Sequence, residues 1–264
     1  MVPPVARLSG ARAATARVLG WVLAVVAAVP MFGLVDLGTL LGLSDARYQW
    51  AMSLEASWGS LFTFLLAGAF TWIGVVPGRP VPALLLLALV ASALLVAAAV
   101  FADPGPAVVA AVVAVSAGVL FLLLRPGRPV PRWSGAGRRP WPVVVALGVP
   151  LWLGYAWLTA TAASVLGRDA GDETMGVDHW PVQVALGLAV AVGSGLMLAW
   201  PELAVWRWPF ALTAAFVAYA TLVFPDRAGA MPHPLWGVAI ALWGVLLLVL
   251  FQTGRRPGPG AAGP

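Results

Sequence analysis

Apolar residues fall in eight runs along the chain, at about 17–41, 58–76, 81–101, 106–124, 142–166, 181–200, 209–224 and 235–251. Most are close to the roughly 20 residues that a membrane-spanning helix needs, and clusters of Pro, Gly, Asp and Arg separate them. The pattern predicts an all-α transmembrane bundle of eight helices with small loops and no separate soluble domain. Arg7, Arg12 and Arg17 precede the first run as they would in a signal peptide. That run stays apolar to about Leu43, beyond an ordinary signal core, so it reads as an uncleaved first helix.

The arginines give the predicted helices a direction. Arg7, Arg12, Arg17, Arg79, Arg125, Arg128, Arg132, Arg138, Arg139, Arg207, Arg255 and Arg256 all fall on one side of an alternating eight-span topology. Only Arg47, Arg168 and Arg227 fall on the other, with Asp45, Glu55, Asp103, Asp169, Asp172, Glu173, Asp178 and Asp226. Cytoplasmic flanks collect Arg and Lys, so both termini are expected in the cytoplasm.

Punctuation along the chain also suggests a duplication. Pro30 and Pro150, Asp45 and Asp169, Trp58 and Trp180, Pro77 and Pro201, and Asp103 and Asp226 pair at a nearly constant offset. The expected organisation is a tail (1–16), a four-helix half (17–124), an Arg-rich linker (125–141), a second four-helix half (142–252) and a C-terminal tail (253–264). Four helices per half put both halves the same way up, related by an axis along the membrane normal. Pro30 and Pro150 are expected to kink the first helix of each half, since proline removes a helical hydrogen bond.

Composition agrees with a lipid environment: of 264 residues, 61% are hydrophobic and 9% charged, and mean hydropathy is +0.94. An average soluble domain carries about 25% charge. The absence of cysteine excludes disulfides, thiolate metal sites and cysteine nucleophiles. All fifteen basic residues are arginine, which with abundant Ala, Gly, Pro and Val points to a GC-rich bacterial genome and a bacterial plasma membrane. The arginine loop "RPGRPVPRWSGAGRRPWP" reads as a positive-inside flank and not as a nucleic-acid surface. The expected partners are the lipid bilayer and an unidentified membrane protein or a second copy of the chain.

Candidate chemistry is sparse. Asp36 is the one acid inside an apolar run, near the outer edge of the hydrocarbon core, where it serves packing or acts as a functional carboxylate. Tyr155 and Thr159 share a helix face and, with Tyr219, outline a small polar cavity if they do more than hydrogen-bond between helices. His179 and His233 lie at the outer mouths of the sixth and eighth helices, with Met31, Met52, Met175 and Met231 towards the same side. With Asp178 they are candidate metal ligands, although no ligand spacing supports this. The alternative reading of "ETMGVDHWP" is an acidic loop entering a helix, with Trp180 and Trp236 as interfacial anchors. The segment "SDARYQWAMSLEASWGS" places Trp50, Ala51, Leu54 and Trp58 opposite Gln49, Ser53 and Ser60, as in an amphipathic helix lying flat in the interface.

No hydrolase elbow, zinc-protease, phosphate-loop or Schiff-base signature is present, and no cofactor is predicted. The functional expectation is a non-catalytic membrane component. A transporter or channel for a small or lipid-like molecule, and an outer-face metal or cofactor binder, are the alternatives.

Overall fold

A computed structural model describes residues 10–43, 51–126, 140–166 and 177–253. The described residues form α1 (Gly10–Ala28), α2 (Gly33–Leu40), α3 (Met52–Val75), α4 (Val81–Phe101), α5 (Pro104–Leu124), α6 (Pro140–Leu166), α7 (Trp180–Ala199), α8 (Arg207–Val223) and α9 (Pro234–Thr253), with a short 3₁₀ turn, Pro201–Trp206, before α8. Seven helices are long and apolar enough to cross a membrane; α9 has a shorter apolar stretch, Pro234–Leu250. Lipid offers backbone groups no hydrogen bonds, which is why such apolar segments must be helical. The outward faces carry Val18, Val22, Val108, Val112, Leu122, Leu147, Trp157 and Val245, all exposed, as suits contact with acyl chains.

Most of the helices meet as antiparallel neighbours. Gly20 of α1 lies against the backbone of Gly74 and Phe70, while the α3 indole Trp58 Nε1 donates to Met31 O at 2.8 Å. Gly187 of α7 packs on Trp152 and Ala156 of α6, Gly193 on Phe210, and Gly244 of α9 on Ala214. Glycine matters here because lipid tails are as apolar as leucine. Close backbone approach and dispersion, not exclusion from water, then hold the helices together. Trp206 Nε1 ties the 3₁₀ turn to Pro82 O at 3.0 Å, and Trp243 Nε1 ties α9 to Val144 O at 2.9 Å. This antiparallel order collects Arg12, Arg17, Arg79, Arg125 and Arg207 at one end, the arginine end. Asp36, Glu55, Asp103, Asp178 and Asp226 are towards the other, the acid end.

Two helices are central. About two-thirds of the apolar window is buried in α3 and α7 (67% each), against 22% in α1 and α5. The burial of α3 corrects one sequence expectation. Met52–Ser60 does not lie flat in an interface: all nine residues are buried, enclosed by α2, α7 and α8, and they form the first turns of a spanning helix. Their serines and Glu55 depress local hydropathy because they serve neighbouring helices and not water. Asp36 is therefore not the one acid within the apolar runs, since Glu55 sits within α3 at 5% exposure.

The prolines behave unequally. Pro30 is followed by Phe32 in the left-handed region at φ 58°, and the chain restarts as α2 at Gly33, so the first run is two helices and not one kinked helix. Pro150 stays inside an unbroken α6. By itself α1, with 19 residues, covers about 28 Å at 1.5 Å per residue, close to a hydrocarbon core. Helix α2 thus lies outside the seven spans, alongside the beginning of α3.

Candidate functional site

At the acid end the helices enclose a polar core. Ser57 Oγ donates to Ser53 O at 2.9 Å, which uses its only hydrogen. The 2.8 Å contact between Ser57 and Tyr155 must then run from the phenol of Tyr155 to Ser57 Oγ. Tyr155 Oη in turn accepts from Gln183 Nε2 at 2.8 Å, and the second amide hydrogen of Gln183 goes to Gly229 O at 2.8 Å. The result is a directional chain joining α3, α6, α7 and the turn before α9. Gly229 holds φ 78° there, and a Cβ at that position would press on Leu54 and Gln183. Ser57, Tyr155 and Gln183 are all buried.

Around this chain stand polar atoms with no hydrogen-bond partner. They are Ser53 Oγ, Ser60 Oγ, Thr159 Oγ1, Gln183 Oε1, His179 Nδ1, and one carboxyl oxygen each of Asp36 and Glu55. Unpartnered buried polar groups are costly and call for a reason. Asp36 and Glu55 lie on packed helices, where Gly59 of α3 fits against Leu37 and Gly33 O, and Leu40 clusters with Met52 and Ala56.

His179 caps α7 at 9% exposure and stacks on Trp58 with ring centroids 4.4 Å apart. Burial takes its imidazole pKa down from 6.5 to about 4, so it is neutral at pH 7. Asp178 Oδ1 accepts from Trp180 N at 3.0 Å, a helix-start contact, and with Asp103 lines a small open hollow beside Pro104. His233 is exposed, its Nδ1 accepting from Leu235 N at 3.1 Å. Met52 and Met231 are buried, Met52 in an apolar cluster. Among the described residues no three His, Asp or Glu side chains gather as metal ligands. Glu173 and Met175 lie outside the described residues.

Tyr155 and Thr159 do share a buried face, whereas Tyr219 is 38% exposed and meets Phe224 edge-on at 6.1 Å. Trp180 is buried and not an interfacial anchor; Trp236 is half-buried against Gly154. Sequence reasoning did not single out Ser57 and Gln183. A serine and a glutamine in apolar runs are faint signals, and only tertiary packing pairs them.

The arginine end differs. An apolar cavity of about 310 Å³ opens between residues 63–86 of the first half of the chain and 205–212 of the second. Its walls include Phe64, Trp72, Leu86, Trp206, Trp208 and Leu212. Helix α3 borders it at a π-helical segment, Leu61–Ala67, a geometry that is rare and frequent at functional sites. Thr63 contributes to this wall, but its Oγ1 is buried beside Gly33 of α2 and has no hydrogen-bond partner. Gly68 leaves room, because a Cβ there would meet only Thr63 O at 3.9 Å. At the rim, Trp72 Nε1 donates to Arg79 O at 2.8 Å, and the Arg207 guanidinium lies 5.5 Å from the Trp208 ring centroid.

Comparison with protein-family models, with curated proteins and with solved structures finds no match. The apolar helices characterise the chain as a multi-pass membrane protein.

Proposed function

We propose that the protein binds and carries a lipid-like molecule, taken from the membrane into the cavity at the arginine end. One observation carries the reading: the cavity lies between the two sequence halves and is walled by apolar and aromatic side chains, among them Phe64, Trp72, Trp206 and Trp208. Ligand cavities are commonly apolar with a few placed polar groups, and about 310 Å³ lies at the small end of their range. Arg79 and Arg207 place positive charge near the rim, which suits an anionic head group.

The same reading makes α9 the eighth span, places both termini and the arginine end in the cytoplasm of a bacterial cell, and treats the halves as parallel repeats framing the cavity. The arginine distribution and the matched punctuation support these assignments.

Native mass spectrometry of protein extracted in mild detergent tests the binding. A single lipid-like mass retained by the wild type and lost from Gly68→Phe, whose ring fills the cavity, is the expected result. Retention of only bulk lipid, in membrane proportions and equally by both proteins, would return the chain to a membrane component without a ligand.

A further inference from the structure

We propose that Asp36 and Glu55 form a proton-binding site at the acid end, one proton being held by the pair at neutral pH. The site is independent of the lipid reading.

Helices α2 and α3 are locked face to face by Gly33 and Leu37 on Gly59, and by Leu40 on Met52 and Ala56. Asp36 lies one residue before Leu37, and Glu55 one turn before Gly59, so both acids flank the contact between the two helices. Each has a buried oxygen without a partner, Asp36 Oδ2 and Glu55 Oε2, and Glu55 is 5% exposed. Buried carboxylates are ordinarily paired with a cation or fully hydrogen-bonded. Among the described residues neither carboxylate has a cation partner, and one oxygen of each has no hydrogen-bond partner.

Among the described residues, the titratable groups on the surrounding elements supply no buried positive charge at pH 7. On α6 there is Tyr155, a neutral phenol already engaged with Ser57 and Gln183. On α7 there is His179, kept neutral by burial. Helices α1 and α8 have Arg12, Arg17 and Arg207 at the arginine end, and α8 has Tyr219 turned outwards. Arg227, beyond α8, is exposed. Two acids in such surroundings resist being ionised together, because Glu55 lacks solvent, Asp36 is only partly exposed, and each charge repels the other. Asp36, outside the spans, shows this in its pKa, raised to about 8 by burial first and by the charge of Glu55 second. A proton taken from water neutralises one carboxylate and leaves the other to accept its hydrogen bond. The couple titrates as one unit.

Infrared spectroscopy of the purified full chain in lipid nanodiscs, titrated from pH 5 to 9 in potassium chloride, reads the site directly. The wild type is expected to show a carbonyl band of protonated carboxyl at pH 7, equivalent to one group per chain, which the double variant Asp36→Asn with Glu55→Gln lacks. Each single amide variant is expected to move the titration of the remaining acid to lower pH, since its charged neighbour is gone. Thermal melts of the variants establish that they are folded, and the single variants serve if the double variant is not. Absence of the band in the wild type at pH 7, or its survival in the double variant, overturns the proposal. Loss of the band at constant pH on adding sodium or calcium overturns it in favour of a metal-cation site.

Discussion

The two ends of α3 use the same helix for opposite purposes. Its first turns carry Ser53, Glu55, Ser57 and Ser60, and every residue there is enclosed by protein. Its later turns are apolar, pass through the π-helical segment and border an unfilled cavity. The difference shows in two glycines nine residues apart. A Cβ on Gly59 would come within 2.8 Å of Leu37 and 2.9 Å of Gly33 O, whereas one on Gly68 meets nothing nearer than 3.9 Å. Polarity is thus compatible with tight packing, and apolarity with loose packing, along one helix. In lipid, apolar surface gains little by being buried, so dense packing gathers where small residues and hydrogen bonds reward it.

The largest effect expected from this contrast is at Gly59. Gly59→Val pushes a branched side chain into α2 backbone and should lower stability in detergent by about 3 kcal/mol, the upper part of the usual range for overpacking. Thermal or denaturant unfolding measures it. Equal tolerance of valine at Gly59 and Gly68 would break the comparison.

Next comes the pH response of His179, whose pKa falls from 6.5 to about 4 on folding. Between those values the unfolded chain binds a proton that the folded chain refuses. Its contribution to stability is therefore complete above about pH 6.5 and is lost as the pH falls towards 4, by up to roughly 3 kcal/mol. His179→Phe keeps a ring on Trp58 and removes the titration. The difference in melting temperature between wild type and variant, followed from pH 7 to 4, should change with pH; a constant difference would show that the imidazole is not held neutral.

Tyr155→Phe tests the directional hydrogen-bond chain. It deletes the hydroxyl that serves both Ser57 and Gln183 and should cost about 1–2 kcal/mol, since single interhelical bonds in membranes average ~0.6 and reach ~1.7. A double-mutant cycle with Ser57→Ala should return a coupling near the lower figure. The smallest effect is at Gly68, where alanine should be neutral or add up to about 1 kcal/mol through helix propensity. A marked loss there would mean that the cavity wall does not tolerate added volume.

Much of the helical architecture was legible because each apolar run had to be a helix, and among the described residues seven helices are long and apolar enough to cross a membrane. Less legible was which polar residues were buried. Ser53, Glu55 and Ser57 resemble an interfacial segment in sequence, since hydropathy registers a side chain's polarity but not which neighbour satisfies it. The prolines teach the same limit. Pro30 and Pro150 look equivalent, yet only the first has Phe32 and Gly33 after it to take a left-handed step and restart a helix. Pro150 lies in a helix held by α7 on one side and α9 on the other. Of the predicted site residues, Tyr155 and Thr159 shared a face as helical spacing requires, but Tyr219 does not join them. The cavity left no mark in the sequence. Its walls come from segments more than a hundred residues apart, and nothing in Phe64, Leu86 or Leu212 distinguishes a cavity wall from a lipid-facing surface.

The most direct test of the central claim is photo-crosslinking in native membranes, with benzoylphenylalanine placed at Leu212, on the cavity wall, and at Val112, on the exposed face of α5. One lipid-like adduct enriched at Leu212 over the mixed membrane lipids captured at Val112 is the expected result. The same lipid mixture at both positions would contradict it, leaving the cavity as a gap filled by ordinary bilayer.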